Sequence, residues 1–146
     1  MTTILALANA LIFALLGGLH LYWMLGGKWG LALALPTNPG GGGERTMNPG
    51  PLACLAVALG LLGFAAYHVS LSISFAQGRP PLANKWVIWG IAGIFLLRAV
   101  GDFRYVGFFK KIKDTEFGRM DTRWYVPLCL YLGLSSAWIG FIVYRS

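Results

Sequence analysis

The stretch Trp86-Val-Ile-Trp-Gly-Ile-Ala-Gly-Ile-Phe-Leu-Leu-Arg-Ala-Val-Gly-Asp102 decides how the rest of the chain is read. It runs without a charge to Leu97, then places a cation and an anion four positions apart, at Arg98 and Asp102. On a continuous helix that spacing puts both side chains on one face, and Tyr105, three positions further, extends the same face. If the run crosses a bilayer, charges at its end need partners and mark a working site.

The flanking sequence supports the membrane reading. Thr3–Leu25, Leu52–Ala76 and Tyr125–Tyr144 are also free of Asp, Glu, Lys and Arg. Each approaches the ~20 residues needed to cross ~30 Å of hydrocarbon. Among the 146 residues 57% are hydrophobic and 12% charged, a balance that excludes an ordinary soluble domain. The expectation is one all-α membrane domain over residues 1–146, an antiparallel bundle of four helices spanning about 3–25, 52–76, 86–106 and 124–144. The first run lacks the basic start of a secretory leader and is too long for one, so it reads as a helix of the mature chain.

The net charge of +7 is distributed unevenly. Lys28, Arg45, Arg104, Lys110, Lys111, Lys113, Arg119 and Arg123 fall in the first and third connections, whereas Arg79, Lys85 and Arg145 fall on the opposite side. The positive-inside rule then predicts cytoplasmic first and third connections and both termini outside. Because these cations flank spans, the expected partners are anionic membrane lipids and not nucleic acid.

The first connection carries the Pro/Gly cluster Pro36–Glu44, which cannot continue a helix. The second, Gln77–Asn84, holds Gly78, Pro80 and Pro81 and reads as a tight turn between antiparallel neighbours. In the third, Tyr105, Phe108, Phe109 and Ile112 recur at helical spacing beside Lys110, Lys111 and Lys113, which predicts a short interfacial helix near Gly107–Phe117. Pro127 suits only a first helical turn, so the last helix is expected to start near Arg123 with Asp121 or Thr122 as its N-cap. Trp23, Trp29, Trp86, Trp89 and Trp124 lie near the expected span ends as an aromatic belt. Cys54 and Cys129 read as reduced packing residues, and their matched depths leave a redox pair open.

His20, Arg98, Asp102, Arg104, Tyr105 and Asp121 form the expected ligand-binding set, at the cytoplasmic end of the bundle. In that reading Arg98 holds an anionic or carbonyl group while Asp102 and His20 govern a proton. The structural alternative is a clamp in which Arg98 and Asp102 neutralise one another. Asn9, Tyr67, His68 and Ser70 make a second polar patch, with Ser72, Ser74, Ser135 and Ser136 near it, best explained as interhelical hydrogen bonding. A haem between His20 and His68 is excluded by depth, ~8 Å against ~24 Å from the same surface. No metal-ligand spacing occurs and no cofactor is expected. Gly40–Gly43 lacks the Lys-Ser/Thr of a phosphate loop.

The strings His20-Leu-Tyr-Trp-Met-Leu-Gly-Gly-Lys-Trp-Gly30, Arg98-Ala-Val-Gly-Asp-Phe-Arg-Tyr-Val-Gly-Phe-Phe109 and Asp121-Thr-Arg-Trp-Tyr-Val-Pro-Leu-Cys129 resemble those of a family of small bacterial four-span membrane proteins classed as a domain of unknown function. That resemblance covers nearly the whole chain and implies an integral protein of the bacterial inner membrane. It implies no activity, substrate or cofactor. The leading functional expectation is recognition of a small anionic or lipid-like ligand, in service of transport or lipid handling. A membrane enzyme using His20 and Asp102 as acid and base, with Arg98 as electrostatic stabiliser, is the next reading, and a non-catalytic subunit of a membrane complex the third.

Overall fold

The computed structural model describes residues 1–36, 49–80, 84–102 and 104–145. Most of the Pro/Gly cluster of the first connection, including Gly40–Gly43, lies outside the described residues, as does Pro81. The described chain is helical without strands: α1 (Thr2–Met24), α2 (Leu31–Ala34), α3 (Pro51–Ala76), α4 (Lys85–Val100), α5 (Glu116–Met120) and α6 (Val126–Arg145), with a π-helical turn, Asp121–Tyr125, joining α5 to α6.

Three helical stretches are long and apolar enough to cross a membrane, Thr2–Met24, Pro51–Ala76 and Glu116–Arg145; Trp86–Val100 is apolar but shorter. Their large side chains point outward as well as inward. Leu11, Leu15, Leu59 and Leu134 are each at least 60% exposed, the pattern of helices whose outer solvent is hydrocarbon.

Local chemistry sets several boundaries. Pro51 opens α3 at a position where its missing N–H is no loss. The Asn84 side chain caps α4 by accepting from the Trp86 amide at 3.0 Å. The expected third span, 86–106, is cut short at Val100, because Gly101 takes φ +87° and leaves the helical path.

The last helix departs from expectation in the other direction. It begins at Glu116, capped by Thr115, whose Oγ1 accepts from the Gly118 amide at 3.0 Å; neither Asp121 nor Thr122 is its cap. Pro127 therefore sits inside a continuous helix. Its ring would press on the carbonyl four residues back, that of Arg123, and it offers that carbonyl no donor. The helix widens just before it: the Val126 amide reaches back five residues to the Asp121 carbonyl.

The interfacial helix expected over Gly107–Phe117 is not formed. Residues 104–113 make irregular turns, and only Glu116–Met120, continuous with the last span, is helical nearby. The apolar spacing there was real, but Gly107 at φ +89° and an inward Lys110 break the helix it implied.

α1 packs on α3 and α4 on α6, with α1 also touching α6. Small residues allow the close approaches. A Cβ on Gly17 would press on Leu62 of α3, one on Gly133 on Leu96 of α4, and one on Gly140 on Ile88 and Trp89. Phe13 fills the centre, its ring 5.2 Å from those of Phe95 and His68 and 5.7 Å from that of Phe64. Cys54 and Cys129 are both buried and free.

Candidate functional site

α4 delivers Arg98 in its last turn, and the chain then doubles back on itself. Gly101 and Gly107 lie against each other with positive φ, and a Cβ on either would overlap backbone: the Val106 carbonyl for Gly101, the Val100 carbonyl for Gly107. Only glycine allows this crossing. The Phe108 amide closes it by donating to the Ala99 carbonyl at 2.9 Å.

Asp102 organises the loop between the two glycines. Its Oδ1 accepts from the amides of Arg104, Tyr105 and Val106 at 2.9, 2.7 and 2.9 Å. Slight desolvation is the largest single influence on this carboxyl and pushes its pKa up, but the backbone amide donors together outweigh it and leave the pKa below the ordinary value. The side chain is exposed.

The expected pairing of Arg98 with Asp102 is thus corrected. Helix geometry ends before Asp102, so the two do not share a face, and the carboxylate is committed to its own turn. The partner of Arg98 is Asp121, on the first residue of the π-helical turn: Nη2 donates to Oδ1 at 2.9 Å.

Asp121 is fully buried and collects donors on both oxygens. Its Oδ2 accepts from the Gly107 amide and from Lys110 Nζ, each at 2.9 Å. The Lys110 side chain, 1% exposed, also donates to the Gly107 carbonyl at 3.2 Å and to Thr122 Oγ1 at 2.6 Å, so each ammonium proton has an acceptor. Two cations therefore converge on one carboxylate. Arg98 is 34% exposed, yet its Nη1 is buried and is the one buried side-chain nitrogen or oxygen without a hydrogen-bond partner among the described residues.

The remaining expected site residues have partners of their own, and no contact joins His20 to this centre among the described residues. His20 is partly buried and donates Nδ1–H to the Leu16 carbonyl of its own helix at 2.9 Å, its ring 4.9 Å from that of Trp23. Arg104 is exposed, its guanidinium 5.2 Å from the centre of the Tyr105 ring. Below the turn, Tyr125 donates to the Leu33 carbonyl at 3.3 Å, and α2 rests on α5.

Lys110 and Thr122 are outside the expected ligand-binding set, Thr122 being read only as a possible N-cap and Lys110 only as one lysine of an interfacial helix. Beside Lys111 and Lys113, Lys110 reads as part of the charged side of an interfacial helix. A usable signal was Gly101: a glycine just after a periodic run is a stop, which removes Asp102 from the helix and leaves Arg98 in need of another anion.

The second patch is partly assembled. Asn9 and Ser135 exchange hydrogen bonds at 2.9 and 3.1 Å, and Ser136 Oγ and Asn9 Nδ2 approach His68 Nε2 at 3.4 and 3.5 Å. His68 Nδ1 faces the Phe64 carbonyl at 2.9 Å, which makes it the protonated nitrogen and Nε2 the acceptor. Tyr67 instead donates to the Asn84 carbonyl at 3.0 Å, and Ser70 lies on an outer groove of α3 with Ala66, Val69, Ile73 and Arg79.

Among the described residues no group of three His, Cys, Asp or Glu side chains is placed to hold a metal ion. No curated protein and no solved structure matches the chain. A family model described as "Protein of unknown function (DUF3995)" matches residues 13–136, and on that span, most of the molecule including Arg98, Lys110 and Asp121, the chain belongs to this family.

Proposed function

We propose that the chain is a multi-pass protein of the bacterial inner membrane that recognises a small anionic or lipid-like ligand at the Arg98–Asp121 end of the bundle, in the service of transport or lipid handling. In this reading α4 is a fourth, short span and the helices alternate in direction. The cation-rich first and third connections face the cytoplasm and both termini lie outside.

The observation that carries the proposal is the charge balance of the site. Two cations, Arg98 at the end of the apolar α4 and Lys110, share the buried carboxylate of Asp121. A structural clamp needs one cation for one anion, and the second is costly to hold near hydrocarbon unless it meets negative charge from elsewhere. Arg104, Lys111, Arg119 and Arg123, all exposed on the same end, raise the local concentration of anions.

The test is extraction of lipids and metabolites from the chain purified from membranes in mild detergent, followed by mass spectrometry. A compound should be enriched over an unrelated membrane protein prepared in the same detergent, and lost from a folded Arg98→Ala variant. Equal retention by both chains would remove the site from consideration.

A further inference from the structure

The unmet hydrogen-bonding capacity of the site can be traced to one nitrogen. Both oxygens of Asp121 are engaged, by Arg98 Nη2 on one side and by Lys110 and the Gly107 amide on the other. Lys110 has an acceptor for each of its protons: Asp121, the Gly107 carbonyl and Thr122. Arg98 Nη1 is left, buried and without an acceptor. A guanidinium presents its N–H groups in a planar fork suited to a pair of oxygens, and here one arm is fixed on Asp121 while the other is unmatched.

We infer that this free arm of Arg98 takes a phosphate group, presented either by the headgroup of an anionic glycerophospholipid or by a soluble phosphate ester; the inference rests on the reading of this end as a ligand site. The side chain is one-third exposed, so a small rocking of the guanidinium about its hydrogen bond to Asp121 brings Nη1 to an acceptor. A phosphate diester keeps its charge at every physiological pH. Its two free oxygens can satisfy Nη1 and one neighbouring cation together. The surroundings fit the depth at which phosphates lie in a bilayer: Phe108, Phe109 and Trp124 are 57%, 64% and 59% exposed beside exposed Arg104, Lys111, Lys113 and Arg123. Asp114 and Glu116, exposed on the same segment, oppose this field but leave the cations in excess.

The experiment is native mass spectrometry of the full chain released from detergent, titrated separately with phosphatidylglycerol, with diacylglycerol of the same acyl chains, and with phosphatidylglycerol in the presence of inorganic phosphate. Phosphatidylglycerol is expected to bind one to one, and diacylglycerol, which lacks every phosphate contact, at least about tenfold more weakly. Arg98→Lys keeps a cation on Asp121 while removing the second arm, and it should weaken phosphatidylglycerol binding about tenfold with an unchanged unfolding temperature. Arg145→Gln, at the far end of α6, should bind as the parent does. Displacement by inorganic phosphate assigns the site to phosphate itself; lack of displacement assigns it to the intact headgroup.

Equal binding of diacylglycerol and phosphatidylglycerol overturns the inference without any variant, and so does parental binding by a folded Arg98→Lys chain. If neither phosphate probe binds while membrane extraction still yields a compound that Arg98→Ala loses, the phosphate inference falls and the ligand site stands. If extraction also yields nothing, both fall.

Discussion

At the scale of single residues, Asp121 and Lys110 carry unequal weight despite facing each other. Removing the carboxylate leaves two cations unpaired, one of them buried, whereas removing Lys110 leaves the balanced pair of Arg98 and Asp121. Asp121→Asn is therefore expected to cost about 3–5 kcal/mol and Lys110→Met distinctly less, as read by chemical unfolding in micelles. Equal losses would contradict the charge balance described above. Asp102 makes a different claim, on pH. Its pKa is depressed in the folded chain, so its support of the turn is complete above the ordinary carboxylate pKa and fades as pH falls through the lower, folded value. Amide NMR shifts of Arg104, Tyr105 and Val106 should hold to below about pH 4 and then move together, and Asp102→Asn should abolish that transition. Of these residues, Arg98 and Asp121 were legible in sequence as charges near span ends. Their pairing was not, because nearness in the chain favoured Asp102; Gly101 as a helix stop argues against that partner, but only the crossing at Gly101 and Gly107 brings Asp121 to Arg98.

Elements are where the reading from sequence was strongest and also where it failed most instructively. Uncharged length located α1, α3 and the body of α6, since hydrocarbon thickness demands it. Apolar spacing between Tyr105 and Ile112 suggested a helix, yet the positive-φ Gly107 and the buried Lys110 fold that segment into turns. Periodicity records which side chains are apolar and says nothing of whether the backbone between them can stay helical. Gly101→Ala tests the turn directly: a Cβ there overlaps the Val106 carbonyl, and a loss of at least about 2 kcal/mol is expected. The polar contacts between helices call for a second measurement. Asn9 of α1 and Ser135 of α6 exchange hydrogen bonds across buried surface. A double-mutant cycle of Asn9→Ala with Ser135→Ala should give a coupling of about 0.5–1.5 kcal/mol. Additive losses would mean that each side chain finds another partner.

For the molecule as a whole, the uneven placement of Lys and Arg makes orientation testable. A phosphatase reporter that is active only outside the cytoplasm should work when fused after Arg145 and fail when inserted at Lys113. The opposite pattern would turn the proposed ligand site outward. Membrane character and family membership were legible from composition and from three short strings, whereas the site depended on a loop crossing and a widened helical turn that leave no periodic trace. That turn has a consequence for how the sequence can change. Asp121 stands at the head of the widened stretch and everything from Val126 to Arg145 follows it on one rod. Adding or deleting one residue between them would spin the carboxylate by about 100° relative to the packed face behind it. Related chains are thus expected to hold the spacing from Asp121 to Pro127 constant.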